Sequence, residues 1–227
     1  MTFIKGKHSI HEALIANAGI HYIAIAKESE QSAQYIIQLA RQKKIDVSVL
    51  SRREFHQRFR LSENQQIIAK MAALKTISLK EFTAKQNNEP VLICDHLEDP
   101  YNFGAIIRTA VASSVDGIII PQNNSAPVNS DMVKTSSGGV FKIPIARVNN
   151  IKDAILHLNS LEINIISLSE KGEKTIYDYN FKESNAIIMG SEEKGISRSV
   201  LSLSNYILKI PINSKIDSLN VSSAFSI

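Results

Sequence analysis

The sequence predicts an α/β protein with two parts: a small N-terminal α/β domain and a larger domain built on a mostly parallel sheet. Three observations carry the prediction. Short apolar runs alternate with segments of helical periodicity along the chain. The strands expected in the second part are apolar throughout, as strands covered on both faces are. A polar stretch, Gln86-Asn87-Asn88-Glu89-Pro90, separates the parts with residues that disfavour regular structure. The domains are read as residues 1–76 and 90–227, with 77–89 as linker. At 227 residues, 44% hydrophobic and 21% charged, each part can bury a core, and a disordered or collagen-like chain is excluded.

In chain order, a helix is expected over 8–17 and an apolar strand over 20–26. An amphipathic helix over 32–43 follows, its apolar face carried by Ile36, Ile37, Leu39 and Ala40. A strand at 46–50, a short helix at 53–59 and a strand at 66–71 complete the first domain, and a polar helical stretch covers 78–85. The second domain shows strands at 90–94, 117–120, 142–147, 163–168, 185–189 and 206–210. Helices fall between them at 103–113, 129–136, 151–161 and 198–203, the last with Ser197 as N-cap.

The single cysteine, Cys94, lies in the apolar run Val91-Leu92-Ile93-Cys94 and reads as a small core residue in a reducing compartment. No apolar stretch is long enough to span a bilayer, and residues 1–8 lack an apolar signal region, so a cytoplasmic protein is expected. The net charge of +4 is unevenly spread: residues 1–76 hold 12 Lys+Arg against 6 Asp+Glu, while 77–227 hold 14 against 16. An N-terminal excess of +6 suits a module that faces a polyanion. The chain lacks the phosphate-binding Gly-Lys-Ser/Thr loop, the Gly-x-Gly-x-x-Gly fingerprint and the Gly-x-Ser-x-Gly elbow. Its six histidines, at 8, 11, 21, 56, 96 and 157, are scattered and no Cys-x-x-Cys occurs, so no metal site is expected. His96 carries only a weak functional signal.

In a parallel sheet ligands bind beyond the carboxyl ends of the strands, and three such ends carry unusual residues. After the 90–94 strand comes DPYNFGAIIRTA (99–110), where Asp99-Pro100 and Asn102 form a turn and Arg108 follows Gly104 by about one helical turn. After the 185–189 strand Gly190 and Gly195 bracket the acidic pair Glu192-Glu193. After the 206–210 strand a polar loop leads to Ser218-Leu219-Asn220-Val221-Ser222, the start of a small-residue helix.

Taken in order, DPYNFGAIIRTA, IIMGSEEKGIS (187–197) and LKIPINSKIDSLNVSSA (208–224) resemble the three motifs of the SpoU branch of the SPOUT RNA methyltransferases. The segment 125–148 resembles that family's intervening region, and GKHSIHEAL (6–14) with SENQQIIAKM (62–71) resembles its N-terminal substrate-binding domain. The two-domain arrangement is most similar to the ribosomal RNA guanosine 2′-O-methyltransferases of the RlmB type. The resemblance implies S-adenosylmethionine held around Gly190, Ile210 and Leu219, a C-terminal trefoil knot and an isologous homodimer. It further implies methyl transfer to a ribose 2′-hydroxyl of ribosomal RNA, in the 23S case a guanosine. A transfer RNA methyltransferase of the same branch, or an RNA-binding protein of this fold without turnover, are the alternatives.

By the same resemblance Asn102, Arg108, Glu192, Asn220 and Ser222 are the polar site residues. A guanidinium is a poor resting base, so Arg108 is expected to bind a phosphate and orient the 2′-oxygen. Glu192 would orient Arg108 or accept a hydrogen bond from the substrate, and Asn102, Asn220 and Ser222 would position the ribose and the loops. Lys5, Lys7, Arg41, Lys43, Arg52 and Arg53 are the candidate RNA contacts. Glu193, Ser223 and Phe225 depart from the family's usual residues, and the chain reaches Ile227 partway through the family's last helix, from which weaker dimerisation and cofactor binding are expected.

Overall fold

The computed structural model describes residues 2–60, 64–87, 89–127, 129–191 and 193–227 and divides into two compact units. The first comprises Met1–Leu74 with Val128–Lys142, the second Lys75–Pro127 with Ile143–Ile227.

The first unit runs β1 (Thr2–Lys5), α1 (Lys7–Ile15), β2 (Ile20–Ala26), α2 (Gln34–Gln42), β3 (Asp46–Leu50), α3 (Arg52–Phe59) and β4 (Ile67–Met71). Its sheet has the order β1-β4-β2-β3; β2 pairs parallel with β3, and β4 pairs antiparallel with β1 and β2. Residues 23 to 26 of β2 are all buried because helices cover both faces. Ala24 and Ala26 pack with Phe55 of α3, while Ile23 and Ile25 point to the opposite face. β1 was not expected; it is a four-residue edge strand whose pairing with β4 comes from far along the chain.

The second unit opens with α4 (Leu79–Thr83), inside the stretch read as a linker. Phe82 is buried in this unit's core, and the Asp116 carboxylate accepts from the N–H groups of Asn87 (2.7 Å) and Glu89 (3.2 Å), so the polar stretch is pinned rather than loose. There follow β5 (Val91–Asp95), α5 (Pro100–Ala112), β6 (Gly117–Pro121), α6 (Ser130–Thr135), β7 (Ile145–Val148), α7 (Ile151–Asn159), β8 (Asn164–Leu168), β9 (Lys174–Thr175), β10 (Asn185–Gly190), α8 (Arg198–Leu201), β11 (Tyr206–Lys209) and α9 (Val221–Phe225). Of these, α6 belongs to the first unit, where it packs against α1 and β1. Gly138 after it, at φ +76°, lies so near α1 that a Cβ there would meet Glu12 Cβ at 2.4 Å. Lys142 closes the excursion with a 2.7 Å ion pair to Glu12. A strand from 142 was expected, but Gly139–Phe141 form a 3₁₀ turn and Pro144 has no N–H to give a ladder, so β7 starts at Ile145.

The sheet order is β7-β6-β5-β10-β8-β11-β9, and every pairing in it is parallel among the described residues. Val91, Ile93, Ile165, Ala186 and Ile188 project to one face, where Ile151, Ala154, Ile155 and Leu158 of α7 meet them. Phe103, Ile106, Ile107 and Ala110 bury one side of α5, which packs against α9. From β5 the chain moves outward to β6 and β7, then crosses back to β8, and β10 fills the place between β8 and β5. The order in which the chain crosses the sheet therefore switches beside β5 and β10, which marks their carboxyl ends as the place for a ligand.

Candidate functional site

Asp95 and Gly190 are register partners at those two strand ends. The Asp95 carboxylate is 1% exposed, and both oxygens are used. Oδ1 lies 2.6 Å from Nδ1 of His96, and Oδ2 accepts from the Ser197 N–H at 3.0 Å. His96 stands at φ +60°, in the left-handed region that few side chains adopt. Gly190 is crossed by the loop that follows it: Ser191 and Gly195 exchange main-chain hydrogen bonds of 3.2 and 2.9 Å, with Gly195 at φ +62°.

The first turn of α5 is set by Asp99, whose carboxylate accepts from the N–H groups of Tyr101 (3.1 Å) and Asn102 (3.2 Å), with Pro100 at the first helical position. This cap orients Asn102, whose Oδ1 accepts from Nδ2 of Asn220 at 2.9 Å. Asn220 in turn caps α9: its Oδ1 accepts from the Ser222 N–H (3.0 Å), the Ser222 hydroxyl (2.6 Å) and the Ser223 N–H (3.3 Å). Thr109, seven residues after Asn102 and so on the same helix face, lies 3.4 Å from the Ser226 hydroxyl. Residues 118 apart in the chain thus form one polar junction. Arg108 stands about 100° round the helix from Thr109. It is exposed and, among the described residues, makes no hydrogen bond or ion pair. The chain brings Asn102, Asn220 and Ser222 together and leaves Arg108 outside that group; Glu192 lies outside the described residues.

Between the loop that precedes α5 and the loop after β10 lies a cavity of about 540 Å³, lined by Asp95, His96, Glu98, Ser191, Glu193 and Lys194 among others. A neighbouring cavity of about 390 Å³ shares Asp95, His96 and Ser197 and adds Asn149, Asn150 and Lys152. His96, which carried only a weak signal in the sequence, thus lines both cavities. The signal available was an Asp-His pair at a central strand end, and it lies just ahead of the first motif. Cys94 is buried and its thiol is pushed up by burial, as suits a core residue. Among the described residues no group of three or more His, Cys, Asp or Glu could hold a metal, and no helix is long and apolar enough to cross a membrane.

The residues expected to hold S-adenosylmethionine fit a thin, partly apolar group bound through main chain. Ile210 and Leu219 are half-buried at the two ends of a segment of loop and turn that carries no helix or strand. Ile212 and Ile216 within it are 39% and 51% exposed, and the main-chain N–H of Leu219 meets no acceptor among the described residues. Apolar faces with unsatisfied main-chain donors are what an adenosine requires.

The expected RNA contacts differ in exposure and in their side-chain partners, and Arg52 too is engaged. Lys7 Nζ donates to Ser32 Oγ at 2.6 Å, and Lys43 Nζ donates to Asn17 Oδ1 at 2.5 Å, so both are engaged within the first unit. Lys5 is half-buried, whereas Arg41, Arg52 and Arg53 are exposed. Arg52 and Arg53 occupy the first turn of α3, behind a capping box formed by Ser51 and Glu54. Arg58 on the same helix lies over the rings of Tyr22 and Phe59, at 5.4 and 5.5 Å.

Residues 89–227 match the SpoU rRNA Methylase family, and residues 3–77 match the family described as RNA 2′-O ribose methyltransferase substrate binding. The chain is 30% identical to an uncharacterized tRNA/rRNA methyltransferase of Mycoplasma pneumoniae, over 100% of this chain and 94% of that one. It is 32% identical to a protein of Staphylococcus aureus provisionally named a TrmH family tRNA/rRNA methyltransferase, over 100% of this chain and 93% of that one. In fold it is similar to the SpoU methyltransferase AviRb from Streptomyces viridochromogenes, solved in complex with AdoMet. The TM-score is 0.83 at 20% identity, over 99% of this chain and 86% of that one.

Proposed function

The chain belongs to the SpoU rRNA methylase family, S-adenosylmethionine-dependent RNA methyltransferases, and we propose that its acceptor is a ribose 2′-hydroxyl of ribosomal RNA, at a guanosine of the 23S molecule. The observation that carries the reading is the 2.9 Å bond between Asn102 and Asn220, which closes the first motif on the third beside the loop of the second. The cofactor supplies an electrophilic methyl group on a sulfonium. What the chain must add is alignment of the hydroxyl in line with that group and a place for the hydroxyl proton.

Gly190, Ile210 and Leu219 hold the cofactor, Asn102, Asn220 and Ser222 position the ribose, and Arg108 binds a phosphate and polarises the 2′-oxygen, oriented by Glu192. Because Arg108 is exposed and six residues from Asn102, on another face of α5 from the Asn102–Asn220 junction, it serves the site of a second copy in an isologous homodimer. The first unit holds the RNA through the exposed Arg41, Arg52 and Arg53 and through Lys5, and through Lys7 and Lys43 once these leave Ser32 and Asn17.

The test is incubation of the full chain with methyl-labelled cofactor and separate pools of unmodified ribosomal and transfer RNA. Alkali-resistant label in large-subunit RNA, lost by at least about 100-fold in Arg108→Ala, is the expected result. Label in transfer RNA would keep the chemistry and reject the substrate. Bound cofactor without label in either pool would make the chain an RNA-binding protein without turnover. Mixing Arg108→Ala with a variant inactive at Asn220 should restore activity if the site is shared between copies.

A further inference from the structure

One cation of the first unit is held in a way that its charge alone does not require. Arg58, in the last turn of α3, has its guanidinium carbon 5.4 Å from the centre of the Tyr22 ring and 5.5 Å from that of Phe59. The residue is exposed and makes no hydrogen bond or ion pair among the described residues, so its N–H donors are unspent. A surface contact of this kind stabilises a fold only modestly. What it does is fix where a long side chain lies.

We propose that Arg58, laid on Tyr22 and Phe59, is the platform on which an unpaired base of the substrate RNA stacks, so that the first unit selects single-stranded over duplex RNA. The inference rests on the first unit being the part that holds the RNA. Three features point to it. The rings beneath the guanidinium are anchored: Tyr22 and Phe59 are partly buried against Ala24, Ala26, Phe55 and Ile68, and Phe59 meets Phe55 at 5.2 Å between ring centres. The platform is therefore set before a ligand arrives, which lowers the entropic cost of binding. The charge along the helix is of one sign. Arg52, Arg53 and Arg60 are exposed on or beside α3, and its one acid, Glu54, is committed to the cap, accepting from the Ser51 N–H at 3.0 Å and the Ser51 hydroxyl at 2.6 Å. Asp46, the register partner of Tyr22 on β3, forms no ion pair with Arg58. The residue type is the third feature. A guanidinium is planar and weakly hydrated, so it can lie between a ring and a base while its edge donates to a phosphate, and a lysine ammonium cannot.

The same geometry decides which RNA is preferred. In an A-form duplex each base face is covered by its neighbours, and the protein meets only phosphates, 2′-hydroxyls and base edges. A flat cation on two rings has nothing to stack on there. In a loop or a bulge the faces are open. Phosphate contacts by Arg52 and Arg53 serve both forms alike, so discrimination between them falls to Arg58.

The variant that separates stacking from charge is Arg58→Lys, which keeps the cation and an aliphatic stem at an exposed position and loses the plane. Affinity of the full chain for a short unpaired RNA should fall by about tenfold, as the loss of one base stack predicts. Affinity for a blunt duplex of the same sequence should stay within about twofold of the parent. The slope of log K against log salt should not change, because the charge is retained. In methyl transfer the KM for RNA should rise while kcat holds. Equal losses on the two RNAs, or a slope that falls, would make Arg58 a phosphate contact or a structural residue and overturn the proposal. Affinities equal to the parent would overturn it too, and replacement of Arg41, Arg52 and Arg53 together by glutamine shows what else falls. If that triple variant binds unpaired RNA more weakly than the parent, the first unit still holds the RNA and the stacking alone is rejected. If it binds as the parent does, the first unit is not the RNA-holding part, and that reading is lost along with the inference.

Discussion

Gly190 shows how a single missing side chain shapes the site. A Cβ there would lie 2.1 Å from the carbonyl carbon of Gly195, 2.3 Å from the Ile196 nitrogen and 2.4 Å from the Gly195 oxygen, all main-chain atoms that cannot swing aside. The loop 191–195 would have to lift from the strand end, and with it one wall of the larger cavity. Gly190→Ala should therefore weaken cofactor binding by at least tenfold by calorimetry and lower the melting temperature. Gly195→Ala meets open space and bears only the cost of φ +62°, about 1 kcal/mol, so its affinity should change far less. Equal effects of the two would show that conformation, not close approach, governs the loop. At this scale the resemblance named Asn102, Asn220 and Ser222, which the structure joins by hydrogen bonds, because short motifs carry their own spacing. It could not reveal that Asp95 contacts His96, since that depends on side-chain direction at the end of a buried strand.

Elements with a long period or a strong cap were legible: β2 and β3 have the predicted bounds, and α5 and α7 differ from them only at their ends. Those missed are short or depend on distant partners, as β1 does on β4 and the two-residue β9 on β11. The excursion 129–142 is the instructive case, because its helix was read correctly while the unit it packs with was not. Its attachment to α1 includes the Glu12–Lys142 pair, in which the Lys142 ammonium holds the Glu12 carboxyl below its ordinary value. A carboxyl lowered on folding contributes stability that is present above its unfolded value, about 4.3, and is lost as pH falls through the folded one. Denaturation midpoints taken from pH 6 to pH 3 should then show the parent more stable than Glu12→Gln at the upper end and the difference shrinking toward the lower. A difference that stays constant with pH would mean that the variant acts through packing beside Gly138 and not through charge.

For the whole molecule, the sequence foretold the fold class but not the strand order, because parallel pairs such as β10 with β5 join residues that no local pattern connects. Charge, by contrast, needs no pairing to be read. Residues 1–76 carry an excess of +6 while the remainder carries a slight deficit, and a polyanion bound by the first unit must release counterions in proportion to the cations it meets. The affinity for RNA should therefore fall steeply with salt. On single-stranded RNA each phosphate contact contributes about 0.7 to the slope of log K against log salt. Replacing both Arg52 and Arg53 by glutamine should thus lower the slope by about 1.4, and the loss of affinity should be similar for ribosomal and unrelated RNA, since phosphate contacts carry no sequence. The cofactor affinity of the double variant should stay at the parent value, because the residues proposed to hold the cofactor, Gly190, Ile210 and Leu219, belong to the other unit. An unchanged slope would remove α3 from the RNA surface and shift the search to Arg41 and to the cations of β1 and α1. A slope change confined to ribosomal RNA would mean that these arginines read structure and do more than supply charge.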